Sequence, residues 1–320
     1  KSVFGTAALA FVASATTVEE VDFQRQFVSW AKEFNSEMPF DEVFARYSTF
    51  KDNLQKIEAH NAGDHTYTMA LNQFADLTAD EFKRMYYGYK PRASNGSLGN
   101  FEAASDYKVS ADGVDWRTKG VVTPVKDQGQ CGSCWAFSTT GSTESAVAIK
   151  TGKLTSLSEQ QLVDCAGSKG NQGCNGGLMD DAFEWIESNG GLCAESDYSY
   201  TARNGVCKKS CTPVSTISSY KDVGTSEKSL ASAVEIGPVS IAIEADQSSF
   251  QFYSGGVLTA ACGKQLDHGV LAVGYGTDSG TDYWIVKNSW GASWGESGYI
   301  RLERGADECG IHDAASYPIA

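Results

Sequence analysis

Hydrophobic residues at helical spacing mark the first part of the chain. Aromatic residues that recur at i, i+4, i+7 and i+11 predict a helix with one buried face: Phe23, Phe27, Trp30 and Phe34. A second series, with steps of four, four, three, four and four, predicts a helix of about five turns with all members on one face: Glu42, Arg46, Phe50, Asn53, Ile57 and Asn61. Because any amphipathic helix can show such spacing, the spacing alone favours a packing role.

Shorter patterns follow these helices. Residues 66–74 alternate between apolar and polar side chains, which predicts a short strand. Thr78 and Glu81 form the Thr-x-x-Glu pattern of a capping box and predict the start of another helix. Much later, residues 266–276 form an apolar run rich in β-forming residues, which is typical of a strand.

The first fifteen residues have the pattern of a targeting segment. Lys1 precedes an apolar run from Val3 to Ala13, which ends in the small triplet Ala-Ser-Ala. We therefore expect residues 1–15 to be a secretory signal peptide without its initiator Met, with a buried helix as the alternative. No later apolar run approaches the roughly 18 residues that a membrane span needs. The protein is expected to be exported and soluble, in a compartment that permits disulfides.

A polar stretch divides the chain into two units. Residues 91–109 are poor in hydrophobic residues, contain Pro, Gly and Ser, and show no periodicity, which predicts a linker. The sequon at Asn95 lies in this linker and is an expected glycosylation site. We expect a front unit over 16–109 and a rear unit over 110–320, and most of the Cys and Gly residues lie in the rear unit.

Composition narrows the function classes. The 320 residues carry a net charge of -14, which argues against a nucleic-acid surface and against binding to anionic membranes. Nine cysteines are too many for an ordinary reduced cytosolic enzyme. In an exported protein, an odd cysteine indicates a free reactive thiol or an intermolecular bridge.

The densest chemical signal surrounds Cys134. Glycines end a loop there, Ser133 is a candidate N-cap, and the residues from Cys134 to Phe137 can begin a helix. A thiol in the first helical turn lies at the positive end of the helix dipole, which favours the reactive thiolate. Such a nucleophile also needs a base that later protonates the leaving amine.

His268 is the candidate base. It stands in the apolar run of residues 266–276, where a histidine is out of place. Downstream, Asn288 can accept a hydrogen bond from one imidazole nitrogen, and Trp290 can shield that bond from water. A lone strand histidine is more often structural, but its combination with Cys134 and Asn288 favours a catalytic role.

These residues resemble the papain-like cysteine proteases, in particular their cathepsin L-like branch. Cys-Gly-Ser-Cys-Trp at 131–135 is followed by a histidine 134 residues and an asparagine 154 residues after Cys134. The helix series reads Glu-x3-Arg-x3-Phe-x2-Asn-x3-Ile-x3-Asn, which matches the propeptide signature of that branch at every position. Asn72, Phe74 and Asp76 match the next propeptide motif, in which Ala70 replaces the usual glycine.

The resemblance implies a fold and a domain plan. The fold class is α+β: a papain-like two-lobed fold, with a helical lobe that begins at the Cys134 helix and a β-rich, barrel-like lobe that carries His268 and Asn288. An α-helical inhibitory propeptide and linker, residues 16–109, would precede the mature peptidase, residues 110–320. The linker would cross the active-site cleft, with its backbone running backward relative to a substrate.

The resemblance also implies residue roles. Cys134 would be the nucleophile, His268 the base and then the acid, and Asn288 the orienting group. Gln128 would donate its side-chain amide to the oxyanion, together with the Cys134 N–H, and each such donor contributes about 3 kcal/mol. Family pattern suggests the disulfides Cys131–Cys174, Cys165–Cys207 and Cys262–Cys309. We hypothesise Cys193–Cys211 as a fourth, with Cys211 in place of Cys207 as the alternative partner of Cys165.

Substrate contacts follow from the same resemblance. The expected substrate-binding residues are Gly176, Gly177, Leu178, Met179, Ala242, Leu266, Gly269, Trp290 and Ala314. Apolar walls and a small floor at Ala314 favour a hydrophobic or aromatic residue two positions before the cut (P2). No inserted occluding loop is recognisable, which favours an endopeptidase. Protein and peptide substrates are the expected partners, with the propeptide as intramolecular inhibitor, and the enzyme is expected to be a monomer without metal or organic cofactor.

Other function classes remain as alternatives. Cys131 and Cys134 could form a thioredoxin-type redox pair, although the flanking sequence does not fit. A zinc site would need a second close pair of Cys or His ligands. An inactive homologue that binds or stores is the main non-enzyme alternative, and such proteins usually lose the nucleophile. A lysosome-like or vacuole-like compartment and an extracellular location both fit an exported protease.

Overall fold

The front unit forms a small helical domain of its own. The computed structural model describes residues 18–35, 37–91, 100–209 and 211–320, so the expected signal peptide and Asn95 lie outside the described residues. The elements of the front unit are α1 (Val18–Phe34), α2 (Val43–Asn61), β1 (Tyr67–Met69) and α3 (Ala79–Tyr86). The strand predicted over 66–74 is only three residues long, because the side chain of Asn72 accepts the N–H of Phe74 and bends the chain.

Aromatic side chains hold α1 against α2. Phe27 and Trp30 are buried, and the ring of Phe50 lies 5.4 Å from each of theirs. The predicted stripe therefore forms the contact between the two helices, with Phe34 at its partly exposed end. Glu42 is the N-cap of α2 rather than a member of it, and its carboxylate pairs with Arg46 one turn later.

A helical lobe begins the rear unit. Its helices are α4 (Cys134–Thr151), α5 (Glu159–Cys165) and α6 (Met179–Asn189), which pack around Trp135, Leu162 and Phe183. Ser133 stands at the N-cap of α4, but its hydroxyl makes no capping bond and pairs instead with the hydroxyl of Tyr200 at 2.6 Å. The Ser133 backbone lies outside the extended region that capping side chains use.

The second lobe is built on a mixed sheet. Its strands are β2 (Asn100–Phe101), β3 (Val114–Asp115), β4 (Ser219–Val223), β5 (Val239–Ile243), β6 (Tyr253–Leu258), β7 (His268–Asp278), β8 (Thr281–Lys287), β9 (Tyr299–Glu303) and β10 (Ala315–Ile319). Two helices accompany it, α7 (Glu227–Ile236) and α8 (Ser248–Gln251). The strand order is β1-β6-β9-β8-β7-β5-β10-β4-β2, with β3 against β7. The two outermost strands, β1 and β2, therefore come from the front unit and its linker.

Disulfides join distant loops of the rear unit. Within the described residues they are Cys131–Cys174, Cys165–Cys207, Cys193–Cys211 and Cys262–Cys309, the pairs suggested by the sequence, including the hypothesised fourth. Cys134 is the free cysteine. Cys131 is bonded to Cys174, which contradicts a redox pair with Cys134. Across the described part of the chain, no helix is both long and apolar enough to cross a bilayer.

Candidate active site

Cys134 is the first residue of α4 and is fully buried. Burial raises the pKa of its thiol to about 11, although hydrogen bonds from the backbone of Gly269, Gly88 and Trp135 favour the thiolate. Because the thiolate loses its hydration when it is covered, the thiol form is favoured here. The helix N-terminus therefore carries a thiol that this form of the protein keeps protonated.

His268 begins β7 and lies in an aromatic enclosure. Its Nε2 lies 2.8 Å from Oδ1 of Asn288, and the indole of Trp290 stacks on its ring at 4.7 Å. Burial lowers the pKa of His268 to about 4. Its Nδ1 has no hydrogen-bond partner among the described residues. The Asn288 contact thus occupies one nitrogen and leaves the other available for proton transfer.

Asn288 and Gln128 are held by one serine that sequence reasoning missed. The backbone N–H of Ser289 donates to Oδ1 of Asn288 at 2.8 Å, and its hydroxyl donates to Oε1 of Gln128 at 2.7 Å. The backbone N–H of Gln128 also donates to the Ser289 carbonyl at 2.8 Å. Ser289 fixes both amides, and its position directly after Asn288 is the only sequence signal that could have indicated this role.

The end of the front unit fills the cleft. Nε2 of Gln128 donates to the Tyr86 carbonyl at 2.8 Å, and Gly177 donates its N–H to the Gly88 carbonyl at 2.7 Å. Tyr89 donates its N–H to the carbonyl of Asp267 at 3.0 Å. The segment that contacts the cleft is therefore residues 86–90, which begins at the last residue of α3 and precedes the expected linker over 91–109.

Gly88 permits the close approach of this segment. A Cβ at position 88 would lie 1.9 Å from the carbonyl oxygen of Gly132, two residues before Cys134. Only a residue without a side chain can pass so close to the loop that carries the nucleophile. The same contact covers Cys134 from the solvent side, and the Tyr87 ring lies 5.6 Å from that of His268.

Several of the expected substrate residues come together beside this segment. Gly177 lies just before α6, Met179 begins that helix, and Ala242 of β5 pairs with Gly269 of β7. One apolar cluster contains Met179 and Ala242, and Leu266, Ala314 and Tyr89 pack against it. Gly176 and Leu178 flank Gly177 along the chain. Trp290 lies beside His268, where its indole stacks on the imidazole and contacts the Phe74 ring of the front unit.

The propeptide-like residues hold the front unit on the rear unit. The Asn72 amide donates to the carbonyl of Gln251 at 2.7 Å, and Phe74 packs against Trp290 with ring centroids 5.5 Å apart. Asp76 is largely buried and accepts from the side chain of Asn35 at 3.0 Å. Its burial raises its pKa, while Asn35 and Arg46 oppose that change.

Polar members of the α2 series bind loop backbone. Asn53 donates to the carbonyls of Ala75 and Leu77, each at 2.9 Å, and Asn61 exchanges two hydrogen bonds with Met69. Arg46 reaches the carbonyl of Asp76 and the carboxylate of Glu81, while Phe50 and Ile57 are buried. The series is therefore structural, and it shapes the loop that leads to the cleft.

A buried charged cluster lies between the lobes. Lys126 binds Glu144 at 2.9 Å and Glu159 at 2.6 Å. Lys287, directly before Asn288, donates to the carbonyl of Thr123 at 2.7 Å, and burial lowers its pKa to about 8. The cluster ties α4 to β8 and so sets the relative position of Cys134 and Asn288. Its members are scattered along the sequence, which leaves no local pattern to detect.

Comparison with known proteins identifies the two units. The papain family cysteine protease profile matches residues 110–319, and the cathepsin propeptide inhibitor domain profile matches residues 27–82. The chain is 49% identical over 284 residues to the senescence-specific cysteine protease SAG39 of Oryza sativa, with 86% of this chain and 84% of that protein covered. It is 49% identical over 304 residues to the cysteine protease XCP2 of Arabidopsis thaliana, with 91% and 85% covered.

A solved proform has the same architecture. The structure of digestive procathepsin L 3 from the larval midgut of Tenebrio molitor superposes with a TM-score of 0.85 at 45% identity, and the match covers 93% of this chain and 99% of that chain. The helical front unit and the two-lobed rear unit are both part of this likeness. The chain therefore belongs to the papain family of cysteine proteases and carries the cathepsin propeptide inhibitor domain ahead of its protease domain.

Proposed function

We propose that this cysteine endopeptidase works through Cys134 and His268, with Asn288 and Gln128 as the orienting and oxyanion-binding groups. The observation that carries the proposal is the Tyr86 carbonyl, which accepts from Gln128 beside the buried thiol. A peptide carbonyl thus already occupies the donor that a reacting carbonyl would use. The 2.8 Å contact between His268 and Asn288 supplies the oriented base.

The proposed reaction has two halves. The Cys134 thiolate attacks the carbonyl carbon, and the electron pair moves to the oxygen, which Gln128 and the Cys134 N–H stabilise. Imidazolium at His268 then gives its proton to the leaving amine, and the C–N bond breaks. Water, deprotonated by His268, attacks the thioester, the C–S bond breaks, and the acid product leaves while the proton stays on His268, which restores the thiolate–imidazolium pair.

The precursor keeps this pair neutral. Under residues 86–90, the thiol pKa is raised to about 11 and the imidazole pKa is lowered to about 4. Both shifts come from burial, so removal of the covering segment lets water reach the pair. The thiolate and imidazolium forms become favourable only then, which adds a chemical inhibition to the steric one.

Specificity is proposed from the pocket that holds Tyr89. Leu266, Ala314 and the Tyr89 ring of the front unit pack against the same apolar cluster, which supports an apolar pocket at this place. We therefore assign a preference for a hydrophobic or aromatic P2 residue. Since the segment enters past Gln128 and leaves past Gly177, its direction is opposite to the one proposed for a substrate, which has P2 at Gly177 and its scissile bond at Cys134.

The processing plan keeps the expected boundaries. We propose a signal peptide over 1–15, a propeptide and linker over 16–109 with a glycan at Asn95, and a monomeric mature enzyme over 110–320. The destination is a lysosome-like or vacuole-like compartment, or the extracellular space. Nothing in the comparisons supports an inactive homologue, since each named relative is a cysteine protease or its proform.

Acid processing tests the proposal. The full chain is incubated at acidic pH, and the N-terminus and mass of the product are measured, with the Cys134→Ala variant as control. We expect the wild type to release its front unit and then cleave a Phe-Arg fluorogenic peptide faster than an Arg-Arg one. Equal processing in the Cys134→Ala variant contradicts the nucleophile, and equal rates on the two peptides contradict the pocket.

A further inference from the structure

The linker leaves a shaped groove on the far edge of the sheet. Phe101 pairs with Val223 and Asn100 with Asp222, so β2 adds a parallel strand to β4. The N–H of Gly224 donates to the Phe101 carbonyl at 2.9 Å. Cleavage near residue 110, as proposed above, removes this strand and leaves β4 as an open sheet edge.

The groove contacts the side chains of Phe101 and Glu102 as well as the backbone of β2. The ring of Phe101 packs edge-to-face on Tyr317 at 5.6 Å. The carboxylate of Glu102 accepts from the hydroxyl of Ser229 at 2.9 Å, in the first turn of the ten-residue helix α7. An aromatic slot and a carboxylate site therefore lie side by side along one strand edge, where the helix dipole favours a negative charge.

Gly224 shapes the carboxylate site. A Cβ at this position would lie 2.1 Å from an oxygen of Glu102, so a side chain there would move the carboxylate away from its present place. Gly224 does not have a positive φ, so the turn itself does not require a glycine. Its lack of a side chain instead permits the close approach of the carboxylate.

The groove lies near the substrate pocket. Asp222 of β4 pairs with Ser316 of β10, and Ser316 is two residues from Ala314 at the pocket floor. One strand spacing and two residues of rise place the groove on the order of 10 Å from the pocket. An extended polypeptide can reach both with a short intervening segment.

We propose that the groove of β4, Gly224, Ser229 and Tyr317 is a docking site for polypeptide substrates in the mature enzyme. The segment that it takes is extended and carries an aromatic residue followed directly by an acidic one, as Phe101 and Glu102 do. This proposal rests on the proposed cut near 110. Docking raises the local concentration of a linked cleavage sequence and so lowers KM without changing the chemistry.

The test compares two linked peptides on acid-processed enzyme whose N-terminus has been measured. One peptide carries an Asn-Phe-Glu segment and the other an Asn-Ala-Gln segment, each joined through about ten flexible residues to the same cleavable sequence. Each peptide is made with its segment before the cleavable sequence and again with its segment after it. We expect the Phe-Glu peptide, in at least one order, to have a kcat/KM at least fivefold higher through a lower KM. Equal values for the two peptides overturn the proposal, as does a mature N-terminus at or before Glu102.

Enzyme variants locate the effect. Gly224→Ala is expected to remove the fivefold advantage and to leave kcat/KM on a short fluorogenic peptide unchanged, which also shows that it folds. Ser229→Ala provides a second variant that removes only a hydroxyl. An advantage that persists in both variants overturns the proposal. Loss of turnover on the short peptide by wild-type enzyme would instead contradict the proposed function.

Discussion

The side-chain amide of Gln128 donates to the backbone carbonyl of Tyr86 across 2.8 Å. The front unit thus satisfies the donor that we assign to the oxyanion. A second hydrogen bond, from the N–H of Gly177 to the Gly88 carbonyl, also binds the backbone of the covering segment, residues 86–90. The backbone of the segment therefore contributes to the inhibition beside the side chains of Tyr87 and Tyr89, and the absence of a side chain at Gly88 lets it come close.

Loss of the Gln128 amide is expected to slow the chemical step. Gln128→Ala should lower kcat on a fluorogenic peptide by about a hundredfold or more, with a small change in KM, because the donor acts on the transition state. Gln130→Ala, two residues away and exposed, is the matched control. A loss confined to KM would show that Gln128 binds the ground state instead.

The precursor thiol is expected to react slowly at neutral pH. With the thiol pKa near 11 and the imidazole pKa near 4, Cys134 is a thiol and His268 is uncharged between these values. Iodoacetamide should therefore alkylate the precursor at a rate that rises only above about pH 9. The processed enzyme should react rapidly from mildly acidic pH upward. Overlapping pH profiles for the two forms would contradict the neutral pair.

Thermal stability is expected to fall between pH 5 and pH 8. Burial raises the pKa of Glu159 from 4.5 to about 7, so the folded protein binds this proton more tightly than the unfolded chain. The resulting stability is complete below pH 4.5 and is lost as the pH rises through 7. Unfolding midpoints of the Cys134→Ala precursor, which cannot digest itself, measure this dependence.

Glu195 provides the variant that isolates this effect. The Oε2 atoms of Glu195 and Glu159 both lack a hydrogen-bond partner among the described residues, and the two carboxyls interact, since Glu159 affects the pKa of Glu195. Glu195→Gln offers an amide donor to Glu159 and should reduce the loss of stability between pH 5 and pH 8. The exposed Glu58→Gln in the same background is the control. A pH dependence that Glu195→Gln leaves unchanged would assign the loss to other groups.

The pocket floor is expected to control the P2 residue. Ala314→Glu places a carboxylate among apolar walls, where an Arg side chain of the substrate would pair with it. The ratio of kcat/KM for Arg-Arg over Phe-Arg peptides should rise at least tenfold, while Ala314→Gln should leave it nearly unchanged. An equal effect of both variants would indicate a steric change rather than charge recognition.

Local chemistry made part of the structure predictable. The capping box at Thr78 and Glu81 is present, since it depends only on residues three apart. The helical spacing of the α1 aromatic residues likewise predicted their contact with α2. Ser133 does not cap α4 with its side chain, because its hydroxyl is hydrogen-bonded to the hydroxyl of Tyr200, which is distant in sequence. A local motif predicts well until a tertiary partner competes for the same atom.

Tertiary contacts decided the remaining features. Residues 86–90 lack a pattern that distinguishes a cleft-filling segment from a loop, because the partner backbone at Gly177 lies almost ninety residues later. Lys126, Glu144 and Glu159 meet only after α4 and α5 pack together. The family resemblance indicated the positions that we propose as catalytic, but not the Ser289 contacts that hold Asn288 and Gln128.

The placement of β1 and β2 at the two ends of the sheet bears on how the enzyme is made. β1 pairs with β6 across more than 180 residues, so the sheet closes late and with the front unit in place. Once the front unit is cut away, the remaining chain no longer contains either terminal strand. We expect the mature enzyme to refold in much lower yield than the precursor after denaturation with its disulfides intact. Its working lifetime would then be set by the height of the unfolding barrier, since a molecule that opens cannot return by the route that formed it.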